Sequence, residues 1–385
     1  MSAMTLPVLA LVVVGLAISW PLTAVLVRLG RRASLMDTPG TDGHFKQLRH
    51  VPNIGGIAIY VAIALPLAVG LAIVWYLDAA TLQRIVPGLN DYLLARVRES
   101  TPTAVAMLAG MTALHITGLL DDRKALGAWP KLFVQLAVAA VMATWFDVRL
   151  LTAVDKYVNA YVPVGYAPSV IITVLWIVAV TNAINFMDNM DGLAGGVSAI
   201  AATLFMIATI LNAQWFIAGT LAVLIGALIG FLIFNFPPAR IFMGDGGSLV
   251  VGFVLAILTA RTTYYDPEDA RFALGGGWYG VFMPVIVLAI PLYDFISVTS
   301  IRLRQRKSPF VGDQQHFSHR LVQRGLSKPA AVMVIWAATA VTGIGGISLG
   351  SLRGWQALLV GVQVILMLMI IWLLEHVSRR RVEPD

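Results

Sequence analysis

Cysteine is absent from all 385 residues, so disulfides, thiolate nucleophiles and Cys-based zinc sites are excluded. Charge is nearly as scarce. Only 12% of residues are Asp, Glu, Lys or Arg, about half of the ~25% that a soluble domain carries. Apolar residues stand in their place, at 58% of the chain. That balance excludes an ordinary soluble enzyme and makes lipid the solvent for most of the surface. A net charge of +7 would point to nucleic acid in a soluble protein. In so apolar a chain, the excess of Lys and Arg in cytoplasmic loops accounts for it, and no nucleic-acid partner is expected. No Lys or Arg precedes the first apolar run. A secretory leader needs a basic start, so this run reads as an uncleaved first span. Linkers, low-complexity stretches and internal repeats are also missing, and residues 1–385 read as one integral-membrane domain.

What is present is a series of apolar runs. A membrane-crossing helix needs about 20 such residues, and eleven candidates occur: 5–28, 54–77, 103–120, 131–147, 168–184, 193–212, 214–234, 247–262, 279–300, 331–350 and 355–375. The fold class is therefore an all-α polytopic membrane protein. Only Asn212 to Gln214 separate the sixth and seventh runs, which predicts a tight helical hairpin. With the loops assigned alternately, 19 of the 27 Lys and Arg fall on one side. By the positive-inside bias that side is the cytoplasm. The N-terminus is then outside, the C-terminus is cytoplasmic, and any active-site cleft on that side faces the cytoplasm.

The polar residues worth explaining collect on the cytoplasmic side, far apart in sequence. Asp121 and Asp122 adjoin at the inner end of the third span. Two carboxylates at a membrane face need a cation to compensate them, and one can hold a hard metal while the other takes a proton. Between the fifth and sixth spans runs Asn182-Ala-Ile-Asn185-Phe-Met-Asp188-Asn189-Met-Asp191-Gly192. Asp188 and Asp191 would share a face if helical, and the amides suit recognition of a base or sugar. Before the eighth span comes Met243-Gly244-Asp245-Gly246-Gly247-Ser248. Its glycines and the helix start that follows suit a phosphate, and Asp245 suits a metal shared with that phosphate. No Lys follows the glycines, so this is not a Walker loop. After the ninth span a basic run leads to His316-Phe317-Ser318-His319-Arg320. Imidazole and guanidinium can bind a diphosphate as charge develops on it, and no third ligand makes the pair a zinc site. The first cytoplasmic loop offers Lys46 and Arg49 ahead of Pro52-Asn53-Ile54-Gly55-Gly56. Asp294 lies inside the ninth span, where a carboxylate is a functional candidate by default.

In this order, these stretches resemble the polyprenyl-phosphate N-acetylhexosamine-1-phosphate transferases of glycosyltransferase family 4. The matching segments are Pro52 to Gly56, Gly118 to Lys124 with Lys131 and Gln135, Asn182 to Gly192, Met243 to Ser248, and Ser308 through Arg320. Eleven spans with an outside N-terminus resemble the undecaprenyl-phosphate N-acetylglucosamine branch. The resemblance implies transfer of a sugar-1-phosphate from a UDP-sugar to undecaprenyl phosphate, giving UMP, as the first membrane step of an envelope polysaccharide pathway in the bacterial inner membrane. It implies Mg²⁺, with Mn²⁺ as a substitute, and is compatible with a homodimer. By the same resemblance Asp121 deprotonates or positions the lipid phosphate, Asp122 supports it near the metal, and Asp245 is the principal metal ligand. Asn185, Asp188 and Asp191 contact the nucleotide-sugar, with Lys46, Arg49, Lys131, Arg320 and Asp294 as further binding residues. His316 and His319 lie at the diphosphate. One position departs from the family's His-x-His-His pattern: its middle histidine is Ser318 here. Restoring histidine there is expected to leave the enzyme active.

Three other readings compete. A phospho-N-acetylmuramoyl-pentapeptide transferase shares the motifs but has ten spans as a rule. An ion-coupled secondary transporter would place its carboxylates near the bilayer midplane, whereas all but Asp294 lie at the membrane edge. A CDP-alcohol phosphotransferase shares Asp188-Asn-Met-Asp191-Gly192 but continues with an Ala-Arg pair, where this chain has Leu193-Ala194.

Overall fold

A computed structural model describes residues 3–32, 51–86, 88–262, 278–308 and 315–376. Lys46 and Arg49, offered as binding residues, lie outside the described residues. Among the described residues ten helices are long and apolar enough to cross a membrane, and a bent pair counted as one span brings these to eleven. They are Thr5–Arg32, Gly55–Tyr76, Thr101–Arg123, Ala128–Trp145, Ala167–Met187, Leu193–Leu211, Trp215–Asn235, Asp245–Thr262, the bent ninth, Lys328–Ile347 and Gly354–His376. No β-strand occurs among the described residues.

The ninth span was expected to be one helix over 279–300. It is two, Met283–Val287 and Ala289–Arg304, meeting at 64° when the first is counted from Gly280. Pro291 explains the break. It has no N–H to give the Val287 carbonyl four residues back, and its ring crowds that turn. Among the described residues four short helices outside the spans, Ala79–Ile85, Asp91–Glu99, Ala153–Asn159 and Phe317–Gln323, were not foreseen. The first two open on Asp78 and Asn90, whose side chains accept from the backbone N–H of the third helical residue, Thr81 and Leu93.

The seventh and eighth spans form the enclosed centre of the bundle. The first span lies along the seventh, with small residues Gly15, Ser19, Gly226 and Gly230 at the contact, the usual route to close helix approach in lipid. Ser19 Oγ donates across it to the Ala227 carbonyl at 2.6 Å. Outward-facing Leu, Ile, Val and Met side chains cover the periphery. Trp75, Trp145, Tyr161 and Tyr166 are exposed at one end of the bundle, as interfacial aromatics are. The polar motifs gather at the other end.

Candidate active site

The site is organised by the turn that opens the eighth span. Gly244 takes φ +67, a left-handed backbone that glycine adopts without penalty. A Cβ there would also lie 2.5 Å from Asp122 Oδ2. Asp122 reaches across from the third span and accepts from two backbone N–H groups, Asp245 and Gly246, both at 3.1 Å. It caps the eighth span from another helix, satisfying donors that the helix start leaves orphaned. Asn53 Nδ2 donates to the same carboxylate at 2.9 Å. The third span comes this close because residue 118 is glycine: a Cβ there would sit 2.4 Å from the Asp245 carbonyl carbon.

The motif Pro52 to Gly56 completes the turn from the other side. Phe242 N–H donates to the Pro52 carbonyl at 2.8 Å, and Gly55 and Gly56 N–H donate to Phe242 and Met243 carbonyls at 2.9 Å. His115 Nδ1 lies 2.7 Å from the Gly246 carbonyl and stacks on Tyr60 at 4.2 Å. The carbonyl can only accept, so Nδ1 carries the proton. Sequence reasoning missed Asn53 and His115. An isolated His on an apolar helix carries no local signal of a partner 131 residues away.

The reactive face is built on Lys131. Its Nζ donates to Asp121 Oδ2 at 2.8 Å and to Asp245 Oδ2 at 2.7 Å. Asp121 Oδ1 accepts the Leu126 N–H at 2.7 Å, which folds the chain back after the third span and sets the fourth span's Lys131 beside it. Asn185 Nδ2 donates to Asp245 Oδ1 at 2.9 Å and to Ser248 Oγ at 2.8 Å. The third, fourth, fifth and eighth spans thus contribute to one point. Lys131 bridges two carboxylates, leaving one negative charge in excess at the bridge. The groups there that could meet a cation are carboxylate oxygens, which fits a hard divalent ion. Among the described residues no three His, Asp or Glu side chains form a closed cage. Mg²⁺ does not need one, because it is held by one or two carboxylates together with substrate phosphates and water.

The expected residues differ in what they touch. Asp122 was expected as a metal ligand and catalytic support. In this geometry its oxygens accept from the turn and from Asn53, so it supports the turn that carries Asp245. Asp188 and Asp191 do not share a helical face, because the helix ends at Met187. Asp191 Oδ2 accepts the Ala239 N–H at 3.0 Å and fixes the segment leading to the Asp245 turn. Asn185 serves Asp245 rather than a nucleotide in this geometry.

A second cluster flanks the same end of the fifth span. Asp294 is 1% exposed, and both its oxygens are spent. One lies 2.8 Å from His316 Nδ1, and the other accepts the Phe317 N–H at 2.6 Å. It orients the histidine segment and is closed to substrate. Arg302, also buried, lies 5.2 Å over the Phe186 ring and 3.4 Å from His316 Nε2. Phe186 meets the His316 ring edge-on at 5.7 Å, so the two clusters touch through neighbouring residues, Asn185 and Phe186. His319 is partly exposed, its ring 6.5 Å from that of His316. Ser318 is 2% exposed and donates to Asn189 Oδ1 at 2.5 Å. Arg320, expected to bind substrate, turns away to Ser297 and Glu375.

The chain is similar to known proteins over most of its length. Residues 104–263 match the model of glycosyl transferase family 4. A probable undecaprenyl-phosphate N-acetylglucosaminyl 1-phosphate transferase of Bacillus subtilis is 28% identical over 91% of this chain and 87% of its own. A decaprenyl-phosphate N-acetylglucosaminephosphotransferase of Mycobacterium tuberculosis is 30% identical over 77% and 72%. An undecaprenyl-phosphate alpha-N-acetylglucosaminyl 1-phosphate transferase of Escherichia coli K12 is 26% identical over 83% and 77%. With the matched segment carrying Asp121, Asp122, Lys131, Asn185 and Asp245, the chain belongs to glycosyl transferase family 4, the polyprenyl-phosphate N-acetylhexosamine-1-phosphate transferases.

Proposed function

We propose that the protein transfers N-acetylglucosamine-1-phosphate from UDP-N-acetylglucosamine to undecaprenyl phosphate, releasing UMP. The observation that carries this reading is the Asp121–Lys131–Asp245 arrangement at one end of the bundle, backed by Asn185. An anionic lipid head meets an anionic diphosphate here, and the site offers an ammonium and a seat for a divalent cation. Asp245 would hold Mg²⁺, or Mn²⁺ in its place; when bound, it neutralises the donor diphosphate and the charge that develops on transfer. Asp121 holds the lipid phosphate in line and takes its remaining proton. A lipid phosphate oxygen bonds to the sugar-proximal phosphorus, and that phosphorus parts from the bridging oxygen, which leaves on UMP. Lys131 stays within reach of both phosphates. His316, held by Asp294, and the more exposed His319 face the diphosphate from the second cluster.

The same reading places this end of the bundle at the cytoplasmic face of a bacterial inner membrane, with the N-terminus outside and the C-terminus inside. The bias of Lys and Arg supports it. The test is UMP release by purified protein given undecaprenyl phosphate and a panel of UDP-sugars, with and without Mg²⁺. UMP should appear only with lipid, donor and metal together, and fastest with UDP-N-acetylglucosamine. Solute uptake into proteoliposomes with no UMP formed would defeat it.

Ser318 carries a prediction of its own. A histidine there was expected to leave the enzyme active, and the position is enclosed and hydrogen-bonded to Asn189. Overpacking costs ~1–3 kcal/mol of folding stability. Ser318→His is therefore expected to lower the thermal unfolding midpoint in detergent while UMP release by the folded protein persists. Ser318→Ala, which loses only the hydroxyl, should lower the midpoint less than the histidine variant. Equal midpoints for Ser318→His and the parent would show that this contact can be repacked freely.

A further inference from the structure

The last span poses a contradiction. Gly354–His376 is the least enclosed of the spans, and Leu358, Ile365, Leu366, Ile370 and Leu374 face outward. Yet near its end stands a carboxylate, Glu375, that is 4% exposed. A buried charge on a lipid-facing helix is costly unless it is paired and hydrogen-bonded. Glu375 is both. Oε1 accepts from Arg320 Nη2 at 3.0 Å and Oε2 from the Tyr293 hydroxyl at 3.0 Å, and Arg324 Nη2 donates to its backbone carbonyl.

These partners lie on two elements already tied to the site. Arg320 and Arg324 belong to the short helix Phe317–Gln323 and its cap, which begins directly after His316 and contains Ser318 and His319. Tyr293 precedes Asp294 on the ninth span and meets the Phe317 ring edge-on at 6.1 Å. The histidine helix is thus held at its start by Asp294 and along its length by Glu375. Ser297 also accepts from Arg320 Nη2, at 2.9 Å, which fixes the guanidinium between the ninth and eleventh spans.

We propose that Glu375 is a positioning residue for the transfer: the eleventh span carries it to the site end, where it locks the histidine helix through Arg320 and so sets His316 and His319 against the donor diphosphate. This rests on the reading of the two histidines as diphosphate contacts. Arg320 then matters for activity without touching substrate.

The test is UMP release by full-length Glu375→Ala, Arg320→Ala and the double variant, with each substrate varied in turn. A ~1 Å misplacement of a reacting group can cost about 100-fold. Each single variant should lose about that in kcat, with KM for undecaprenyl phosphate unchanged. The double variant should lose no more than either single, because a shared lock is broken once. Reversing the pair, Glu375→Arg with Arg320→Glu, should recover part of the loss. Glu375→Gln keeps the size and an acceptor for Tyr293 while removing the charge, and should lose ~10-fold in a protein that still folds. Losses that multiply in the double variant, or a Glu375→Gln enzyme as active as the parent, would overturn the proposal. Absence of UMP from the parent would instead defeat the transferase reading, so the two failures are told apart.

Discussion

Asp245→Asn is expected to abolish turnover at every Mg²⁺ concentration, by at least ~1,000-fold, a loss of about 4 kcal/mol in transition-state stabilisation. The substitution keeps the shape of the side chain and changes three things. It removes the negative charge left in excess at the Lys131 bridge, which fits a divalent ion. It brings an amide N–H₂ against either the Lys131 ammonium or the Asn185 amide, both of which now donate to the carboxylate. It also leaves Asp121 as the one carboxylate partner of Lys131, drawing the ammonium toward it. The turn itself should survive, because the backbone N–H groups of residues 245 and 246 are capped by Asp122. UMP release and thermal unfolding in detergent, measured side by side over a Mg²⁺ series, check this. Activity within tenfold of the parent would mean that Asp245 is not the metal-bearing carboxylate.

Asp121→Asn should cost nearly as much, again ~1,000-fold, for a different reason. Asp121 has one oxygen on the Leu126 N–H and one on Lys131. An amide oxygen can keep the first, so the reversal of the chain into the fourth span persists and the protein folds. What goes is the basic oxygen facing Lys131, which the proposed mechanism uses to seat the lipid phosphate and take its proton. The loss should therefore fall in kcat, with the donor KM little changed. A variant that raises the donor KM and spares kcat would assign Asp121 to the nucleotide-sugar instead. Trapping a phosphoryl group on Asp121 of the parent would replace direct attack by a two-step transfer.

The spans could be read from the sequence because lipid imposes one rule along every run, and that rule is local. The hairpin at Asn212 to Gln214 came out as expected, joining helices that end at Leu211 and begin at Trp215. The break in the ninth span was missed although Pro291 was in plain view, because proline in a membrane helix bends it in some settings and not in others. Within the site, Asp121 and Asp245 were legible as carboxylates at a membrane edge that need a cation, and Lys131 only through the family resemblance. The division of labour between the two adjacent aspartates was not. Asp121 and Asp122 differ by one helical step, about 100° of rotation. That step decides which carboxylate faces the cleft and which caps the neighbouring helix. Asn53, His115 and Glu375 were missed because each acts only through partners far along the chain. Glu375 had left a signal, a lone carboxylate within a span otherwise made for lipid.

The cap that Asp122 places on the eighth span also constrains how the protein is made. The two partners lie 123 residues apart, so the third span is synthesised long before the turn it will hold. Until that turn arrives, Asp122 has no backbone donors from it and must remain hydrated at the headgroups. A nascent chain halted after the seventh span would own most of its membrane-crossing helices and no Asp245 turn. Completion of that turn is thus an event of late insertion, and the earlier spans act as a waiting cradle for it.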